Sequence, residues 1–276
     1  MISGEQFQSL ADISLYGEMT DLIDAQLKSK PQNIYKISEL LAADIKKYKV
    51  VYVYTHFLQE FFDKFFSSLD EVILITNNSD DGINDKYLKY LEGSNIKKWY
   101  CQNRETTHSK LFSIPIGLAN SQWSHGNQRL ITQIRDENNS KKNLVYKNFD
   151  IGTNLGERSK CNIITEKNGI LLASKTSIIE YWRTLSESMF AISPPGNGID
   201  CHRIWEALYL RSVPVIVYHE SFSQFKHLPI LFINDWSEVT IEFLRSKINE
   251  FANADFNLPE LNISYWYKKI KQDIEI

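Results

Sequence analysis

The feature that most constrains this chain is an alternation of two hydrophobic rhythms. Short, β-rich apolar runs occupy residues 50–55, 72–76, 97–100, 112–116, 144–146, 169–172, 190–193, 214–218 and 231–233. Amphipathic stretches with helical spacing lie among them at residues 57–66, 84–91, 177–186, 200–210 and 238–251. Strand–helix–strand alternation predicts right-handed βαβ units on parallel sheets. No internal repeat competes with that reading.

With 276 residues the chain suits two domains of ordinary size. The run Asp136-Glu137-Asn138-Asn139-Ser140-Lys141-Lys142 has no apolar rhythm and reads as a linker. The expected division is therefore residues 1–130, residues 141–252, and a C-terminal helical segment, 253–276, packing near the domain interface. A net charge of −3 with no basic stripe argues against nucleic acid and anionic membranes as partners. No apolar run reaches the ~18 residues of a membrane span. Residues 1–10 lack the basic and apolar regions of a signal peptide. The three cysteines show neither disulfide nor metal spacing. A cytoplasmic location and reduced thiols are the expectation.

The most informative stretch runs from Phe190 to Leu208. A buried strand ends at Ser193, where Pro194 and Pro195 stop it. Gly196-Asn197-Gly198 then allows unusual backbone angles and close ligand approach. A helix begins near Ile199 and Asp200, with its amides and the positive end of its dipole facing the loop. Arg203 and Glu206, three residues apart, share one helix face. In that place an Arg suits a diphosphate oxygen and a Glu suits ribose hydroxyls. His202 lies four residues before Glu206 and could face the same pocket. The same residues also describe an ordinary strand-to-helix turn with an Arg–Glu surface pair, which contributes ~0–1 kcal/mol. The dinucleotide pattern Gly-x-Gly-x-x-Gly is absent.

From Ser193 to Val217 the sequence resembles the donor-binding signature of exostosin-type glycosyltransferases, glycosyltransferase family 47. It carries the Pro-Gly loop, an Arg, a Glu-Ala-Leu run (206–208) and a Pro-Val strand at 214–217. The resemblance is specific over about residues 189–218 and extends over about 110–250. It implies an α/β fold of the GT-B type, two Rossmann-like domains facing across a cleft, the acceptor domain first and the nucleotide-sugar domain second. It further implies a nucleoside diphosphate sugar donor, most simply a UDP-sugar, a glycan acceptor, and transfer with inversion. No tightly bound cofactor and no protein-held metal are implied. Arg203 matches the family's diphosphate Arg and Glu206 its ribose Glu. Small members of this kind include xylosyltransferases, which points toward UDP-xylose. The rivals are a GDP-sugar fucosyltransferase-like enzyme and a catalytically silent sugar-nucleotide or glycan-binding partner. One departure is Arg211, where the family has a small residue, so the helix end is expected to be built differently here.

In open α/β sheets ligands bind at the carboxyl ends of strands, which nominates further residues. Arg158, near a helix start, would reach the same phosphates. Asn148 and Phe149 end the preceding strand and would line the cleft. Ser174 would contact the base, whereas Tyr181 and Trp182 read as core. Asp80 and Asp81 follow an apolar strand, where an acceptor domain would present a catalytic base. The same pair fits a GT-A metal motif or a capped turn. His125 is another candidate base. Trp123, His56 and Asn103 are candidates for acceptor binding.

Overall fold

The computed structural model describes residues 1–18 and 33–275. The chain divides into two compact units: Ile2–Ile116 with Asn262–Ile276, and Gly117–Leu261 with Met1. Each unit is α/β, and every strand pairing in its sheet is parallel. Two parallel α/β units in one chain match the expected pair of Rossmann-like domains.

The first unit opens with a short helix, α1 (Gly4–Gln8), and strands β1 (Ile13–Tyr16), β2 (Ile34–Lys36) and β3 (Val50–Tyr54). Helix α2 (Leu58–Phe65) and strands β4 (Val72–Asn77), β5 (Ile96–Cys101) and β6 (Leu111–Ser113) follow. The sheet order is β2-β1-β3-β4-β5-β6, so the winding reverses between β1 and β3. Helix α2 puts Leu58, Phe61, Phe62 and Phe65 on one face at i, i+3, i+4 and i+7, and all four are buried. Phe62 stacks on Tyr90 with ring centroids 3.8 Å apart and meets Trp99 edge-on at 5.6 Å. Strand β1 was not expected. It is only four residues long and has the polar Ser14 in the middle, yet it is buried between two neighbours. The Asp12 carboxylate sets its place by accepting from the Lys49 and Val50 amides at 2.9 and 2.8 Å.

The second unit contains helix α3 (Gln128–Asp136), strand β7 (Asn143–Tyr146), helices α4 (Leu155–Lys167) and α5 (Ile178–Ser186) and strand β8 (Ser188–Ile192). Helix α6 (His202–Tyr209), strands β9 (Val213–Val217) and β10 (Leu231–Ile233) and helix α7 (Ile241–Phe251) complete it. The sheet runs β10-β9-β8-β7. The strand expected at 169–172 does not form. Gly169 has φ +80° and its amide bonds Glu166 O, while the Ile170 amide bonds Thr165 O. That pair of bonds is the left-handed cap ending α4, and buried Ile170 is its apolar plug.

The seam also falls elsewhere than the polar run suggests, at Ile116/Gly117 and Leu261/Asn262. Helix α3 lies inside the second unit because it buries Ile131 and Ile134. The Lys141 ammonium caps two helix ends, donating to Ser186 O at 2.8 Å and, more loosely, to Leu210 O at 3.5 Å. The last helix, α8 (Ile263–Glu275), belongs to the first unit. Its Trp266 meets Phe7 edge-on at 5.6 Å, and its Asp273 accepts from Lys98 and from the Tyr100 hydroxyl. Among the described residues no helix is long and apolar enough to cross a membrane. Cys101, Cys161 and Cys201 are free and buried.

Candidate functional site

The loop after β8 and the first turn of α6 gather most of the residues nominated for the donor. The helix starts at His202, with Cys201 at the N-cap, so Arg203 sits in the first turn. Its guanidinium lies over the Phe149 ring at 5.7 Å. Arg158, from α4, lies over the same ring at 5.8 Å. Both contacts are in cation–π range. Arg158 is 5% exposed and fixes the loop backbone: Nε donates to Pro195 O at 2.9 Å and Nη1 to Asp150 O at 2.7 Å. Burial, and then the neighbouring charge of Arg203, lower its pKa. Nε of Arg203 is buried without a hydrogen-bond partner. Among the described residues neither Arg is in an ion pair. Two adjacent guanidiniums with an unfilled donor form a site for an anion.

Gly196 sits close against this packing. A Cβ there would stand 3.3 Å from Arg158 Nη2 and 3.8 Å from Thr153 Cγ2. Its carbonyl accepts from Asn154 Nδ2 at 2.7 Å, while Asn154 Oδ1 caps α4 through the Glu157 amide at 3.1 Å. One side chain thus ties a helix cap to the glycine loop. Gly198 is buried, Ile199 half-buried and Asn197 exposed on the same loop. The Asp200 carboxylate is turned inward instead, accepting from Trp205 Nε1 at 2.7 Å. That bond ties the start of the helix to its own first turns.

Glu206 is 5% exposed, and its Oε2 accepts from the Tyr181 hydroxyl at 3.0 Å. Burial raises the Tyr181 phenol, and the Glu206 charge adds to the effect. Tyr181 is therefore not the core residue expected, because its hydroxyl orients the carboxylate. Its ring lies 5.9 Å from that of Tyr146, whose hydroxyl accepts from Asn148 Nδ2 at 2.8 Å. The same amide donates to Ser174 O at 3.3 Å. A continuous chain of contacts thus runs from Glu206 to Ser174. His202 departs from expectation. Its Nδ1 bonds Gly117 O at 2.7 Å, so the ring is committed to the segment after β6.

That segment corrects a placement. Trp123 and His125 belong to the second unit, not to the acceptor domain of residues 1–130. Gly117, with φ +69°, turns the chain, and Gly126 lets it fold back where a Cβ would meet Asn120 O at 2.1 Å. Trp123 is 42% exposed and stacks on His125 at 6.2 Å, and His125 meets His202 edge-on at 6.3 Å.

The other nominated residues meet at the strand ends of the first unit. His56 Nδ1 is 2.9 Å from Ser79 Oγ. Burial lowers its pKa, and Asp81 and Asp80 pull it partly back. Asn103 Nδ2 donates to Ser79 O at 3.4 Å and Asp80 O at 3.2 Å, pinning the loop that carries both exposed aspartates. Among the described residues no cluster of three or more His, Cys, Asp or Glu could hold a metal ion.

Residues 130–276 match the RXYLT1 C-terminal domain, more than half of the sequence. The chain belongs to the RXYLT1 C-terminal domain family. That family is xylosyltransferase-related, and the chain is accordingly glycosyltransferase-like. The match includes the whole loop–helix site. No curated protein matches the sequence. Among solved structures the chain is similar to T4 phage β-glucosyltransferase, with a TM-score of 0.40, 11% identity, and coverage of 96% of this chain and 99% of that one. The DNA-modifying enzyme β-glucosyltransferase, studied with and without uridine diphosphoglucose, gives the same figures. T4 phage BGT in complex with UDP and Mn2+ gives 0.39 and 10%, with the same coverage. The assignment to a family rests on the domain match alone.

Asn154 and Tyr181 are the contributors that sequence reasoning missed. Asn154 had a local signal, since an Asn three residues before Glu157 is an N-cap pattern. Tyr181 had none, because its partner lies 25 residues away.

Proposed function

We propose that the chain transfers a sugar from a nucleoside diphosphate sugar to a glycan hydroxyl. The donor is a UDP-sugar, with UDP-xylose favoured by the family, and the anomeric centre inverts. The observation that carries this reading is the convergence of Arg203 and Arg158 on Phe149 beside the glycine loop, with Arg203 Nε unpartnered. Arg203, the loop amides and the N-terminus of α6 neutralise charge as it builds on the leaving diphosphate. Glu206, aimed by Tyr181, accepts from the ribose. The acceptor hydroxyl loses its proton to Asp80 or Asp81, with His125 the other candidate base. The bond to the diphosphate breaks as the new glycosidic bond forms, through an oxocarbenium-like transition state.

The test is a set of affinities measured by calorimetry on cooperatively unfolding variants. Removing a charge-assisted bond of about 1.5–3 kcal/mol weakens binding about 10- to 100-fold, so Arg203→Ala lowers UDP affinity by that factor. Uridine affinity, which lacks the charge, barely changes. Glu206→Ala weakens both ligands alike. If Arg203→Ala affected uridine and UDP equally, Arg203 would be structural and the diphosphate role would be wrong.

A further inference from the structure

The first unit carries a polar centre of its own. Tyr54 pairs with Asn77 and Thr76 with Cys101, so Thr55, Asn78 and Gln102 leave three adjacent parallel strands at the same end. Such a layer is normally sealed by apolar side chains or fully hydrogen-bonded. Here Thr55 is 2% exposed, Asn77 and Gln102 0% and Asn103 2%. The Gln102 amide is fixed in the turn after β4, since its Oε1 accepts from the Asn78 amide at 3.2 Å. Asn78 in turn donates to the Tyr52 hydroxyl at 2.8 Å. Yet Gln102 Nε2, on that same amide, and Thr55 Oγ1 have no hydrogen-bond partner. Two buried polar atoms without partners, at the ends of the two strands that flank β4, are costly to keep unless something completes them.

The groups above this layer indicate what that is. The turn is zipped to the end of β5: the Ile83 amide donates to Asn103 O and the Glu105 amide to Ile83 O, both at 2.9 Å. It therefore holds Ser79, Asp80 and Asp81 in place beside His56. The charges that bear on His56 are Asp81 and Asp80, both anionic. A phosphate would meet those carboxylates. A hydroxyl both donates and accepts, so it can satisfy the carboxylates and the buried amide together.

We propose that this strand-end layer binds an uncharged polyhydroxyl ligand, a sugar or sugar alcohol. Gln102 Nε2 and Thr55 Oγ1 are its buried anchors, engaged by a ligand hydroxyl or through one bridging water. Naming this ligand as the acceptor rests on the glycosyltransferase reading, whereas the site itself does not.

The experiment is saturation-transfer NMR and calorimetry on the full chain with methyl β-xyloside, methyl β-galactoside, xylitol and glucose 6-phosphate. At least one neutral probe binds, and glucose 6-phosphate binds about 10-fold more weakly or worse, because it faces two carboxylates. Gln102→Met and Thr55→Val each weaken the neutral probe about 5- to 10-fold, the effect of one lost hydrogen bond. Should either variant fail to unfold cooperatively, the exposed pair Asp80→Asn with Asp81→Asn replaces it and narrows the discrimination against phosphate. Absence of binding by every neutral probe overturns the proposal. So does equal or tighter binding of glucose 6-phosphate, or unchanged affinity in the variants. UDP binding is measured on the same samples. Lost UDP binding with glycoside binding retained would sink the donor reading alone, and the reverse pattern would sink this one alone.

Discussion

Tyr181→Phe isolates the step by which one residue aims another. The substitution removes the hydroxyl that donates to Glu206 Oε2 at 3.0 Å and also bears on Arg203, and keeps the ring that packs near Tyr146. Glu206 is 5% exposed, so its carboxylate then loses a partner where water is scarce. A hydrogen bond to a charged group contributes about 1.5–3 kcal/mol, and half-buried Tyr181 places the loss at the low end, about 1–2 kcal/mol of stability. Binding changes by a second route. A Glu206 side chain free to leave its rotamer must be ordered again when ribose arrives, at about 0.5–1.5 kcal/mol. Uridine affinity therefore falls about 2- to 12-fold. On the proposed reading pyrophosphate meets Arg203 and not Glu206, so its affinity falls less than that of uridine. Calorimetry with uridine, UDP and pyrophosphate, beside a urea titration, separates the two effects. Equal losses for pyrophosphate and uridine would mean that the loop itself had moved. Unchanged uridine affinity in a destabilised variant would make Tyr181 a packing residue only.

Arg211 ends α6 in the left-handed region, with φ +60°, where a non-glycine residue pays ~1–2 kcal/mol. Arg211→Gly raises the urea midpoint by the equivalent of about 0.5–1 kcal/mol, after subtracting the extra freedom glycine gives the unfolded chain. Lys141 is lowered from 10.5 to about 8 by burial and then by Arg211. Between those values the unfolded chain holds a proton that the native state has released, so stability rises with pH. That rise disappears in Lys141→Met, as thermal melts across the window will show. For Asp80 and Asp81, the Asn variant of whichever is the base lowers turnover ~10²–10⁴-fold and leaves UDP affinity intact. Full activity in both single variants would move that role to His125, His56 or another residue.

The expected helix end at Arg211 and the expected strand at Gly169 were misread for one reason. In α4 the Gly169 amide bonds Glu166 O and the Ile170 amide bonds Thr165 O; in α6 the Arg211 amide bonds Leu208 O and the Ser212 amide bonds Ala207 O. These are the same cap. In the first case the glycine is present, but the apolar Ile170-Leu171-Leu172 that follows imitates a strand. In the second the motif forms without its usual glycine, because sheet and helix fix both flanks. Local sequence reports which residue adopts a conformation cheaply. It does not report where packing forces that conformation on another residue.

The same distinction divides what was legible at the site. The proline stop, the glycine loop and the Arg203–Glu206 spacing all lie within a few residues of each other, and their chemistry could be read along the chain. What completes them comes from afar: Arg158 reaches Pro195 O across 37 residues, Asn154 reaches Gly196 O across 42 and Tyr181 reaches Glu206 across 25. Arg158 is nominated by its place at a helix start, but nothing in the neighbourhood of Asn154 or Tyr181 says which partner either will meet. For His202, which its spacing placed in the same pocket as Glu206, a backbone carbonyl has taken the ring's hydrogen bond. Buried donors accept the nearest partner that folding supplies. At this loop–helix site, a buried donor still lacking one, such as Arg203 Nε, is therefore the better guide to where a ligand would bind.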